Sequence, residues 1–129
     1  MKALVTGGGG FHGKAIVKAL LARGDAVRSF SRNAYPELAR LGVEHVSGEI
    51  DDAAALRRAI EGCDIVFHVA AKAGVWGPFD DFYRANVLGT KNVIDACRRQ
   101  GIRRLVHTSS PSVVFDGTDM EGVDESVPY

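Results

Sequence analysis

A chain of 129 residues that is 46% hydrophobic and 25% charged has the size and make-up of one ordinary globular domain, which excludes disorder and fibrous architectures. Its 16 basic residues balance its 16 acidic ones, which removes the broad positive field that nucleic-acid and anionic-membrane binders need, so any anion has to be caught locally. No apolar run approaches the roughly 18 residues that span a bilayer, and Cys63 and Cys97 stand alone, as reduced thiols do in a cytosolic protein.

The first element is an apolar strand over residues 2–6, with no charged leader or cleavage site before it, so no export signal is expected and the chain reads as cytoplasmic. There follow a helix over 11–23, a strand over 26–30, a short helix over 36–41, a strand over 43–46 and a helix over 52–61. The same rhythm continues with a strand over 64–69, a long helix over 79–100 and a strand over 103–108. Short strands separated by helices predict a parallel sheet with helices on both faces, a three-layer doubly wound α/β fold. Gly24, Gly42, Gly62 and Gly101 each follow a helical segment, where a residue able to take positive φ ends the helix. The runs Leu4-Val5, Ile65-Val66-Phe67 and Leu105-Val106 are continuously apolar, which places those strands centrally. Val87, Val93, Ile94 and Cys97 are expected to form one apolar stripe on the long helix. From Pro111 onward periodicity is lost and the chain reads as loop.

Thr6-Gly7-Gly8-Gly9-Gly10-Phe11-His12-Gly13 joins the first strand to the first helix, the context in which a glycine motif points to a dinucleotide. Gly7 can make the tight turn, Gly10 can admit a pyrophosphate to the backbone, and Gly13 can bring helix and strand close. The helix that opens at Phe11 and His12 offers free N–H groups and partial positive charge to the phosphates. At the end of the second strand, where an acid would hydrogen-bond a ribose 2′-hydroxyl, stand Ser31 and Arg32. A small residue beside an arginine suits a 2′-phosphate, so NADP is favoured over NAD, although Arg32 also fits a solvated loop residue.

Together with the later motifs, this turn resembles the extended short-chain dehydrogenase/reductase family. Gly48-Glu49-Ile50-Asp51 is similar to the family's Gly-Asp-Leu/Ile segment, which implies that Glu49 and Ile50 embrace the adenine. His68-Val69-Ala70-Ala71-Lys72 resembles its His-x-Ala-Ala stretch, which puts Ala70 and Ala71 beside ribose and nicotinamide and Lys72 near a phosphate or the substrate oxygen. Asn86-Val87-Leu88-Gly89-Thr90 resembles Asn-x-x-Gly-Thr, whose Asn supports the active site. Thr108-Ser109-Ser110 is similar to the Ser/Thr triplet, which makes Thr108 a cofactor neighbour and Ser110 the catalytic hydroxyl. His12 departs from the aliphatic residue usual in the family and reads either as a pyrophosphate contact or as a packing side chain.

The family's catalytic tyrosine with a lysine four residues later is not found here. Tyr35 and Tyr83 have Ala39 and Val87 at that spacing, and Tyr129 is the last residue. The expectation is therefore an incomplete Rossmann domain over 1–129, lacking a carboxy-terminal substrate region and leaving apolar surface exposed. The resemblance is nearest to the 3β-hydroxysteroid dehydrogenase branch and to bacterial reductases of 2-alkyl-3-oxoalkanoates. It implies that the longer protein moves hydride between a nicotinamide dinucleotide and a secondary alcohol or ketone, as a homodimer built on the long helix. A nucleotide-sugar epimerase or dehydratase and a non-catalytic NAD(P)-sensing module are the alternatives. His45, His68 and His107 lack the spacing of a ligand set, so no metal is expected, and His68 reads as a hydrogen-bonded core residue. Trp76 is a candidate wall of a substrate pocket.

Overall fold

In the computed structural model, which describes residues 1–129, the strands are β1 (Lys2–Thr6), β2 (Ala26–Ser31), β3 (Glu44–Ser47), β4 (Ile65–His68) and β5 (Leu105–His107). All pair in parallel in the order β3-β2-β1-β4-β5. The chain runs outward from β1 to β3, then returns across the centre to β4 and β5. Where the direction reverses, between β1 and β4, the connections leave opposite faces and a crevice opens beyond the strand ends.

The connecting helices are α1 (Phe11–Ala22), α2 (Pro36–Arg40) and α3 (Ala53–Ile60), followed by α4 (Phe79–Phe82) and α5 (Gly89–Arg99). Alternation along β1 sends Ala3 and Val5 to one face, against Val17 and Leu20 of α1 and Leu38 of α2. It sends Leu4 to the other, against Leu56 and Ile60 of α3 and Val93 and Cys97 of α5. Being buried on both faces is what makes β1 apolar throughout. The four helix-ending glycines have φ between 71° and 85°.

Side chains close both ends of α3. Asp52 accepts from the amides of Ala54 and Ala55 at 2.9 and 3.0 Å, the usual service of an N-cap carboxylate. At the other end Arg28, inside β2, donates from Nη1 to the carbonyls of Ala59 and Glu61 at 2.6 and 2.8 Å. A cation there meets the negative end of the helix, and Glu44 on β3, 2.9 Å from Arg28 Nε, balances it.

Three expectations need correction. Within these 129 residues β5 is an edge strand rather than a central one: its only neighbour is β4, and Val106 is 48% exposed, β5 being the last strand these residues supply. The helix expected over 79–100 is interrupted by a π-helical turn at Tyr83–Leu88. A π turn carries more residues than an α turn and rotates the following register, so Val87 leaves the buried stripe and is exposed while Val93 and Cys97 stay inside. The stretch after β5 is not loop throughout, since Pro111–Val114 form a 3-10 turn.

Candidate functional site

Beyond the carboxyl ends of β1, β2 and β4 lies a groove of about 750 Å³. Its floor is the turn from β1 into α1. Gly7 takes φ 71°, donates to the Phe30 carbonyl at 3.0 Å, and passes so near β4's exit that an added Cβ would lie 3.0 Å from the backbone of Ala70. A Cβ on Gly13 would overlap the carbonyl of Gly7, so helix and turn meet backbone to backbone. Gly10 differs: its φ is −77°, and a Cβ would meet only the Gly7 carbonyl oxygen at 3.4 Å, ordinary contact. Nothing within the chain demands glycine there.

The start of α1 is left open. The amides of Phe11, His12 and Gly13 donate to no backbone carbonyl, the N-cap residue supplies no side-chain acceptor, and the first turn holds no acid. In the same molecule Asp52 occupies the corresponding place at α3. Free amides at a positive helix end form a ready site for an anion, the phosphates of a dinucleotide among them.

A buried chain of hydrogen bonds fixes the opposite wall. Thr6 Oγ1 accepts from the amides of Val69 and Ala70, each at 3.1 Å, and lies 2.8 Å from His68 Nδ1. His68 Nε2 is 2.9 Å from Thr90 Oγ1, which donates to the carbonyl of Asn86 at 2.7 Å. One assignment satisfies every atom: Thr90 accepts from Nε2–H, and Thr6 donates to Nδ1. Burial, with the charge of neighbouring His107, lowers the His68 pKa to about 4, so the ring is neutral at physiological pH. Asn86 completes the wall by accepting from the Lys72 amide at 2.8 Å and donating to its carbonyl at 3.0 Å.

The remaining sides carry charge. Arg84 from the π turn reaches Asp51 at 2.6 Å, and the Asp51 carbonyl accepts from Asn92 at 3.0 Å. The Lys72 ammonium lies 3.7 Å from Asp81 and 5.3 Å from the centre of the Phe82 ring. At the end of β2, Ser31 donates to the Asn33 carbonyl, while Arg32 has no carboxylate partner.

Gly7, Gly10, Phe11, His12 and Gly13 border this groove, as do Ser31 and Arg32, Glu49 and Ile50, and Ala70, Ala71 and Lys72. Asn86 stands behind the wall, holding it, and does not face the space. Thr108 donates its amide to the His68 carbonyl at 3.0 Å and lies outside the lining. So does Ser110, whose hydroxyl is 2.7 Å from Ser112 Oγ and accepts from the Ser112 amide. Trp76 is 94% exposed and lies outside the lining of this groove. Tyr35, Asp51 and Arg84 also line the groove and were not expected. Their signal is tertiary, because a loop tyrosine or a helix arginine has no spacing that announces a ligand.

The profile of the 3-beta hydroxysteroid dehydrogenase/isomerase family matches residues 4–129. A 2-alkyl-3-oxoalkanoate reductase of Shewanella oneidensis is 52% identical over 127 residues, 98% of this chain and 33% of that protein. A 3 beta-hydroxysteroid dehydrogenase/Delta 5-->4-isomerase of Mycobacterium tuberculosis is 42% identical over 99% of this chain and 36% of its own. Among solved structures, a short-chain dehydrogenase/reductase superfamily protein from Agrobacterium tumefaciens with bound NAD superposes with a TM-score of 0.86 at 35% identity, covering 99% of this chain and 38% of that one. The Thermus thermophilus UDP-glucose 4-epimerase in complex with NAD gives 0.84 at 34% identity, covering 99% of this chain and 44% of that one. The chain thus spans about a third of the length of the curated relatives it matches. With the match running from inside β1 to the last residue, the chain belongs to the 3-beta hydroxysteroid dehydrogenase/isomerase family.

Proposed function

We propose that this chain is the cofactor-binding part of an NAD(P)-dependent oxidoreductase that interconverts a secondary alcohol and a ketone. The observation that carries the reading is the uncapped start of α1, with three free amides facing a groove at Gly10, where only a ligand requires the missing side chain. These amides would hold the pyrophosphate, Glu49 and Ile50 the adenine, and Ala70, Ala71 and Lys72 the nicotinamide half. Arg32, with no carboxylate partner, favours NADP over NAD. When bound, the nicotinamide supplies or accepts a hydride. Ser110 follows β5, at the same end of a parallel sheet as Ala70, and in this reading hydrogen-bonds the substrate oxygen. The higher identity to a named oxoalkanoate reductase, 52% against 34% for the epimerase, supports alcohol and ketone chemistry over sugar epimerisation. The longer protein would act on a small molecule in the cytoplasm, as a homodimer.

Calorimetric titration with NADPH and NADH tests the first half of this proposal. Both bind and NADPH binds more tightly if it is right, and absence of binding to either overturns it. Ketone reduction is expected from a protein that carries a tyrosine-lysine pair after this stretch. None is expected from the 129 residues alone, because a tyrosine needs a nearby cation to act as proton donor and acceptor at neutral pH.

A further inference from the structure

We infer that Tyr35 is a positioning residue that makes this groove selective for a dinucleotide bearing a 2′-phosphate, an inference that rests on the cofactor reading above. It begins with Gly9. Unlike Gly7, Gly9 has no positive φ, and it does not border the groove, so neither its backbone nor a ligand requires glycine. The ring of Tyr35 does: a Cβ on Gly9 would overlap its Cδ2, Cε2 and Cζ atoms. The ring therefore rests on the Cα of the glycine-rich turn and joins that turn to the loop between β2 and α2.

The same loop carries Arg32 and is pinned on either side of it. Ser47 Oγ donates to the Arg32 carbonyl at 2.9 Å, and Ser31 Oγ to the Asn33 carbonyl at 2.9 Å. Beyond Tyr35, Pro36 opens α2, whose Glu37 binds Lys14 and Lys18 of α1 at 2.8 and 3.7 Å. Tyr35 is the member of this set that ties the loop to the turn holding the diphosphate. An arginine fork selects a phosphomonoester only where its backbone is held at a fixed distance from the rest of the ligand. Removing the ring frees the loop and disperses the guanidinium, at a cost to the 2′-phosphate alone.

The test compares NADPH and NADH affinities in the protein and in Tyr35→Ala, Gly9→Ala, Tyr35→Phe and Arg32→Ala, with a thermal melt confirming that each variant folds. Tyr35→Ala is expected to lower the NADPH-to-NADH affinity ratio by about tenfold. Gly9→Ala does the same by displacing the ring and serves if Tyr35→Ala does not fold, while Tyr35→Phe keeps the ratio. The double variant Arg32→Ala/Tyr35→Ala should show no further loss, since both changes remove one interaction. Equal weakening of both dinucleotides by Tyr35→Ala, or additive losses in the double variant, overturns the proposal. A parent protein without preference for NADPH overturns the NADP reading and this inference with it. A parent that prefers NADPH and a Tyr35→Ala variant that still does overturns this inference alone.

Discussion

At the scale of single residues, the glycines of the first turn separate into those the fold requires, such as Gly13, and Gly10, which it does not. Gly13→Ala places a methyl group against the Gly7 carbonyl, and is expected to cost both stability and dinucleotide affinity. Gly10→Ala keeps an accessible φ and meets no clash. It should cost at most about 1 kcal/mol of stability, the usual scale of an N-cap change, while weakening dinucleotide binding severalfold. A melt and a titration on each variant check this, and equal loss of both properties at Gly10 would remove the ligand from the explanation. His68 makes a second prediction. Its folded pKa, about 4, lies below the ordinary 6.5, so between these values the unfolded chain holds the extra proton. The stability that depends on neutral His68 is fully present above pH 6.5 and drains away as the pH falls toward 4, by about 3 kcal/mol. Urea unfolding at pH 7 and pH 4.5 should show that loss, and His68→Gln should flatten it.

Among the elements, the π turn at Tyr83–Leu88 links most directly to the groove. It turns Asn86 toward the backbone of Lys72 and Arg84 toward Asp51. Asn86→Ala breaks both bonds to Lys72 and should destabilise the chain by about 2 kcal/mol, roughly one for each hydrogen bond. The 70–72 stretch is then freed, which hydrogen exchange at the Lys72 amide would register as faster exchange than in the parent. This element also marks the limit of what could be read in the chain. The alternation of strands and helices and the glycine stops were legible, because each is a local preference written in a few consecutive residues. The π turn was not, since it is imposed by tertiary bonds from Asn86 and by Gly89, where a Cβ would press to 2.8 Å from Ile50. Arg28 was silent for the same reason: within β2 it looks like a surface residue, and only the fold brings α3's last carbonyls to it.

For the whole molecule, two well-filled layers on either side of β1 contrast with large apolar side chains left exposed elsewhere. Val75, Trp76, Phe79, Val87 and Val106 are all exposed, and large apolar side chains left in solvent favour association when they cluster. The 129-residue chain is expected to bind a hydrophobic dye and to self-associate in sedimentation experiments, and Trp76→Ser/Phe79→Ser should reduce both. Monodisperse behaviour without dye binding would show these exposed side chains to be harmless. The groove's lining was legible where it follows the glycine turn and the strand ends, and illegible at Tyr35 and Arg84, which arrive from loops and helices. The sheet order has one more consequence, for the time at which the groove comes into being. β1 pairs with β2, whose first residues lie 24 positions on, but also with β4, where Ala3 meets Ile65. During synthesis the β1-α1-β2 unit can close early, whereas one edge of β1 stays open until β4 has left the ribosome. Non-local pairings of this kind come late in folding. Thr6, which reaches across to Val69, Ala70 and His68, is thus a seam that can close only after residue 70 has been made.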